Sequence, residues 1–298
     1  MESVRAILGK LNIFSHEKIE DNKNSSNNLY LSSDENELAR LQTFHFFTKE
    51  SWKNLFTAPI EDLLLNSTWT MDMATTYTKP NYIGIDKLPL FPTEIKPNHV
   101  EFKLVDVLEG LPFNDNTFDF VYMQHMKFHL REDDYLDLLN EIIRVVKPGG
   151  WMEILEFDKE FLDSGPIDSS IHQEIKKGIY EKYKINFDLF PKIKSALKQM
   201  QQDGNIQYIN DFENKLVIGK WGGKIGEVFL ESYKMYLINF KDLFTELILS
   251  CDNNSNSFSE IKSMVENNYE KLLEIIVNEF NQCNAYCYNF KVIAQKKC

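Results

Sequence analysis

Asp86 closes the short apolar run Tyr82-Ile83-Gly84-Ile85, and Asp106 closes an alternating run through Val100, Phe102 and Leu104. A carboxylate at the end of a parallel strand can accept both hydroxyls of a ribose. A second one at the next strand end can accept from an exocyclic amine while Val107 and Leu108 pack on a base. Each aspartate alone is equally a solvated turn residue or a helix cap, but together they supply the two contacts a nucleoside needs. Farther on, His125 and His129 stand four apart, a spacing that puts two metal ligands on one helix face. Glu132 and Asp133 are the local candidates for a third ligand. A histidine on the substrate side of a cofactor pocket, or a plain surface pair, fits the same spacing, and no metal site is expected. No GxSxG, HExxH or GxxxxGK[ST] motif occurs, which leaves serine hydrolase, zincin and P-loop chemistry without support.

These side chains need a scaffold. Tyr82–Ile85, Val100–Leu104 and Phe118–Tyr122 read as strands. Tyr135, Leu138, Leu139, Ile142, Ile143 and Val146 recur at helical spacing until Lys147-Pro148-Gly149-Gly150 stops the helix and Trp151 opens another strand. Strands alternating with crossover helices predict an α/β domain with a parallel sheet whose ligands bind at the carboxyl ends of the strands. Ile83, Ile85, Phe102, Leu104, Phe120, Val121, Ile154 and Leu155 are the expected buried strand residues.

The 298 residues carry a formal net charge of -12. That balance argues against nucleic acid as the main partner, since no basic face tracks a phosphate backbone. Cys251, Cys283, Cys287 and Cys298 form no CxxC pair and read as reduced thiols of a cytoplasmic or nuclear protein. No apolar run approaches a membrane span, so no membrane partner is expected. The oligomeric state is left open.

Residues 1–31, with Asn22-Lys23-Asn24-Ser25-Ser26-Asn27-Asn28 at their centre, read as a disordered tail; 32–298 form the domain. Ser32 and Glu35 form a capping box for a helix carrying Leu38, Leu41, Phe44 and Phe47. This aromatic helix and a helical cap at about 158–203 are expected to cover the carboxyl end of the sheet and shape an acceptor pocket. Ile206–Ile218 predicts a strand pair or one bent strand, Ile225–Leu249 one long helix, and Tyr286–Ala294 a closing strand.

As a set, Tyr82-Ile83-Gly84-Ile85-Asp86, Val105-Asp106-Val107-Leu108-Glu109-Gly110-Leu111-Pro112-Phe113, Asn116-Thr117-Phe118-Asp119-Phe120-Val121 and Arg144-Val145-Val146-Lys147-Pro148-Gly149-Gly150 resemble the class I S-adenosylmethionine-dependent methyltransferases. The flanks Ala58-Pro59-Ile60-Glu61, Trp69-Thr70-Met71 and Trp221-Gly222-Gly223 are similar to a fungal branch of that family. The resemblance implies a doubly wound, mostly parallel seven-stranded sheet with a reversed last strand and a helical cap. It also implies S-adenosylmethionine as cofactor and a small-molecule or protein methyl acceptor. Carried over residue by residue, Asp86 holds the ribose, Asp106 and Val107 meet the adenine, and Gln124 and His125 border the methyl group and the acceptor.

The pattern breaks in one place. Relatives carry the first strand and a GxGxG loop between segments like Pro59–Leu64 and Thr68–Thr70, whereas only Leu65-Asn66-Ser67 stands there in this chain. The first strand is therefore expected to be lacking or truncated, with Leu63–Leu65 as a substitute and Asn66, Ser67 and Thr68 taking the loop's place at the cofactor. An incorrectly joined gene model would leave the same gap. Two functions follow from this: methyl transfer impaired by loss of the cofactor loop, or a catalytically silent interaction module on the same fold.

Overall fold

The structure, a computed structural model, describes residues 4–8, 35–53, 56–58, 67–87, 91, 96–157, 160–253 and 255–298. In chain order the elements are β1 (Val4–Leu8), α1 (Glu35–Trp52), α2 (Ser67–Thr76), β2 (Asn81–Asp86), β3 (Val100–Leu104), β4 (Phe118–Gln124), α3 (Glu132–Val145) and β5 (Val146–Phe157). There follow α4 (Pro166–Tyr183), α5 (Phe190–Gln202), β6 (Ile206–Val217), α6 (Gly223–Asn239), α7 (Lys241–Ser250), α8 (Asn256–Asn267), α9 (Tyr269–Cys283) and β7 (Tyr286–Lys296). The seven strands form one sheet in the order β3-β2-β1-β4-β5-β7-β6. β7 runs antiparallel to both its neighbours, so it alone is reversed.

The first strand is present, and it comes from the start of the chain. Val4–Leu8 pairs in parallel with Asn81–Ile85 on one side, and Ala6–Leu8 pairs with Val121–Met123 on the other. The expectation of a disordered tail over 1–31 fails for these five residues, as does the expectation that the first strand is lacking or truncated. A central parallel strand needs only a short apolar run because it is buried on both faces, and Val-Arg-Ala-Ile-Leu is four-fifths apolar. The polar run at 22–28 and the proposed substitute Leu63–Leu65 lie outside the described residues.

α3 forms as its spacing predicts. Tyr135, Leu138, Leu139, Ile142 and Ile143 are buried, the first turn is acidic at Glu132, Asp133 and Asp134, and Arg144 stands in the last turn, each end matching the helix dipole. The helix passes straight into β5, which opens at Val146 rather than at Trp151. Lys147–Gly150 is not a loop but a bulge: Phe118 pairs with Val146 and Phe120 with Trp151. Gly150 is required there, because a Cβ would come 2.9 Å from the carbonyl oxygens of Asp119 and Lys147. The expected long helix Ile225–Leu249 is broken into α6 and α7 at Phe240, whose φ of -103° leaves the helical region.

Three apolar clusters fix the layers. α3 and α5 cover one face of the sheet, with Leu138, Ile142, Ile193 and Leu197 against Val121, Ile154 and Val292. On the other face Ala74 of α2 packs with Tyr82, Phe120 and Leu155, and Trp52 of α1 leans on the same cluster. The largest cluster joins Phe47 of α1 to Ile171 and Ile175 of α4 and to residues of α6–α9, at Phe157, Leu216 and Cys287, which stand at the carboxyl end of the sheet. Helices α4 and α6–α9 gather there, beyond the 158–203 span expected for a cap, whereas α5 packs on the sheet face. Of the expected strand residues, Ile85, Phe120, Val121, Ile154 and Leu155 are buried, while Ile83 and Phe102 are half-buried. Leu104 is 62 % exposed, because β3 is the edge strand and its last residue stands at the rim.

Candidate active site

The strand registers bring the predicted residues to one rim. Leu104 pairs with Asp86 and Ile85 with Leu8, which also pairs with Met123, and Gln124 pairs with Leu155. Asp86 and Gln124 thus end β2 and β4 on either side of β1, roughly 10 Å apart at two strand spacings.

Asp86 is 9 % exposed, and its backbone carbonyl accepts from Val105 N at 2.8 Å. This bond joins the ends of β2 and β3 and brings Asp106 to the same rim. Asp106 Oδ1 caps a short 3-10 turn by accepting from Leu108 N at 3.0 Å. Its Oδ2 lies 2.6 Å from Lys87 Nζ, a partner sequence reasoning did not foresee although Lys87 follows Asp86 directly. Val107 is buried, whereas Leu104 and, at 40 % exposure, Leu108 present apolar surface to either side of Asp106. An acid flanked by exposed leucines suits a flat heteroaromatic ring with an amine on its edge.

Gln124 and His125 are buried at the exit of β4. Tyr122 OH donates to Gln124 Oε1 at 3.2 Å, and burial raises the Tyr122 phenol well above its usual range. His125 has φ of +56° and donates its amide to Leu155 O at 2.8 Å. The histidine pair sits in a turn ahead of α3, not on a helix, and His125 is buried rather than exposed. Among the described residues no group of three His, Cys, Asp or Glu is arranged to hold a metal ion.

Beyond this corner stands a wall of rings. Phe128 meets Phe187 edge to face at 5.0 Å, Phe161 meets Tyr233 at 4.5 Å, Phe229 meets Phe47 at 4.3 Å, and Phe157 bridges Phe161 and Phe229. It joins α1, α6 and the segments flanking α4 at the carboxyl ends of β4 and β5, where the sequence expected α1 and the cap to shape an acceptor pocket. Of the expected loop substitutes, Asn66 lies outside the described residues, and Ser67 and Thr68 open α2. Because α2 runs back to the start of β2, its N-terminus is at the carboxyl rim, where first-turn amides attract an anion.

Sequence reasoning missed Glu156, which has no exposure and whose Oε1 accepts from Met126 N at 2.9 Å, Lys127 N at 3.2 Å and Tyr135 OH at 2.8 Å. Burial pushes its carboxyl up to about 7, against the pull of Lys127, Tyr135 and the two amides. The signal was available: Glu153 and Glu156 interrupt a strand otherwise apolar from Trp151 to Phe157.

Comparison with known proteins agrees with the resemblance. Residues 70–154 match the family model described as a methyltransferase domain. An N-methyltransferase, verN, of Clonostachys rogersoniana is 30 % identical over 156 residues, 48 % of this chain and 54 % of that protein. The demethylmenaquinone methyltransferase of Bacillus pumilus is 34 % identical over 133 residues, 42 % of this chain and 51 % of its own. Among solved structures, Haemonchus contortus phosphoethanolamine N-methyltransferase 2 in complex with S-adenosyl-L-methionine aligns at 18 % identity and TM-score 0.40, over 75 % of this chain and 44 % of that one. The chain spans about half the length of these two curated relatives. The likeness to a methyltransferase domain spans residues 70–154, less than a third of the chain.

Proposed function

We propose that this chain transfers the methyl group of S-adenosylmethionine to a small molecule or a protein side chain. The observation that carries the reading is the rim itself: Asp86 and Asp106 at consecutive strand ends, with exposed Leu104 and Leu108 beside them. Asp86 accepts the ribose hydroxyls. Asp106 accepts the adenine amine, sharing its carboxylate with Lys87, while Val107 supports the ring from below. The amides opening α2 at Ser67 and Thr68 face the cofactor's carboxylate. When bound, the cofactor supplies an electrophilic methyl group on a positively charged sulfur. The protein's own contribution is alignment and exclusion of water. The aromatic wall holds the acceptor, and Gln124 and His125 border its reacting atom.

No GxGxG run occurs in the sequence, so two amide bonds to the cofactor's carboxylate are lost relative to the family pattern. At roughly 1.5 to 3 kcal/mol each, affinity is expected to fall by about a hundredfold to ten-thousandfold, less whatever α2 restores. Calorimetric titration of the full chain with S-adenosylmethionine tests the reading. The expected result is weak but saturable binding that Asp86→Ala abolishes; no heat from the unaltered chain, or equal affinity in Asp86→Ala, would contradict it. Neither the cytoplasmic or nuclear location nor the acceptor's identity is needed for that test. No helix among the described residues is long and apolar enough to cross a membrane.

A further inference from the structure

His125 and the two residues after it are held from below by two consecutive residues of β5. His125 N donates to the carbonyl of Leu155 at 2.8 Å, and Met126 N and Lys127 N donate to the carboxylate of Glu156. The first of these bonds falls on a residue with a positive φ, a conformation uncommon for residues other than glycine. The Lys127 ammonium donates to Phe187 O at 2.8 Å, tying the corner to the segment ahead of α5. Glu156 Oε2 is buried and makes no hydrogen bond within the described structure.

We propose that Glu156 is a positioning residue whose carboxylate fixes the Gln124–Lys127 corner and with it the place of His125, so that the corner tightens or loosens as Glu156 ionises. The proposal rests on the reading of that corner as the border of the transferred methyl group. The charged and titratable groups facing the acid are Lys127 from the corner, Tyr135 from α3 and Tyr122 from β4, the last feeling the charges of both Glu153 and Glu156. Burial sets the acid against its own charge, and the midpoint falls near neutrality. Above it, the ionised carboxylate accepts both amides in charge-assisted bonds. Below it, the neutral acid is a weaker acceptor for the two amides.

Nuclear magnetic resonance on the full chain, following the Met126 and Lys127 amides between pH 5.5 and 8.5, tests this without knowledge of the acceptor. The expected result is a shared transition with a midpoint of about 7 that persists in His125→Gln and disappears in Glu156→Gln, which keeps an acceptor oxygen but cannot ionise. Glu156→Ala is expected to speed exchange of the two amides by roughly tenfold or more. Tyr135→Phe, which keeps the buried ring and removes one donor to the acid, moves the midpoint upward and serves if the Glu156 variants do not fold. A transition retained in Glu156→Gln, unchanged exchange in Glu156→Ala, or an unmoved midpoint in Tyr135→Phe would overturn the proposal. Failure of the unaltered chain to bind S-adenosylmethionine would instead remove the meaning given to the corner and leave the behaviour of Glu156 standing.

Discussion

The two halves of the sheet are built on different terms. β4, β5, β7 and β6 are long, and β5 meets β7 over seven register pairs from Trp151 to Phe157. Beneath them a buried ion pair adds a second lock. Glu153 Oε2 accepts from Thr57 N and Ala58 N at 2.7 and 2.9 Å, and its Oε1 lies 3.3 Å from Lys291 Nζ, both side chains 1 % exposed or less. β3, β2 and β1 are short, and among the described residues the strand pairing that joins this half to the other is Ala6–Leu8 against Val121–Met123. Yet the short half carries Asp86 and Asp106, and the long half carries Gln124, His125 and Glu156. The site therefore depends on a seam made by five residues at the start of the chain. Continuity in space does not follow continuity in sequence here.

Breaking the seam should have the largest effect. Deletion of residues 2–9 removes β1 and leaves the inner edges of β2 and β4 unpaired, each lost buried bond costing about 1 to 3 kcal/mol. Near-ultraviolet circular dichroism is expected to show loss of fixed tertiary structure, whereas a native spectrum would mean that the halves hold without β1.

Breaking the long half's lock should cost less. Glu153→Ala leaves the Lys291 ammonium buried beside the Trp52 ring, 4.5 Å from its centroid, and is expected to lower unfolding free energy in urea by about 3 to 5 kcal/mol. Burial already holds the Lys291 pKa below its ordinary value. The double substitution Glu153→Leu with Lys291→Met should recover much of the loss, since no unpaired charge then remains.

A pH effect of the opposite sign to ordinary acid denaturation sharpens the comparison further. Burial pushes Glu156, at the site, and Asp168, in the cap, up to about 7. Raised acids bind protons more tightly in the folded state, so their contribution to stability is full at low pH and is lost as pH rises from about 4 to 7. Each amounts to on the order of 3 kcal/mol. Thermal melting of Glu156→Gln and Asp168→Asn should fall less steeply than that of the unaltered chain between pH 5.5 and 8. By contrast, the exposed pair Lys182–Glu246 at 2.5 Å should contribute under about 1 kcal/mol, and Lys182→Ala should leave melting nearly unchanged.

The sequence revealed whatever its local pattern determines. The stripe from Tyr135 to Ile143 and the aspartates closing two strands could be read because their neighbours along the chain are also their neighbours in space. β1 could not, since five residues, four of them apolar, are lost when composition is averaged over a polar stretch, and its partners lie more than 70 residues away. Leu104 was misjudged because alternation shows that a strand exists but not whether it is an edge. Glu156 and Lys87 were missed for a related reason: both act through groups that only the sheet register brings near.

Hydrogen exchange measured by mass spectrometry on a peptide spanning residues 1–10 tests the central claim, that Val4–Leu8 is the middle strand of the sheet. With N–H groups engaged between two parallel neighbours, these residues are expected to exchange as slowly as Phe118–Gln124 and to lose that protection only on global unfolding. Complete exchange at the rate of an open chain, with β4 still protected, would contradict the account.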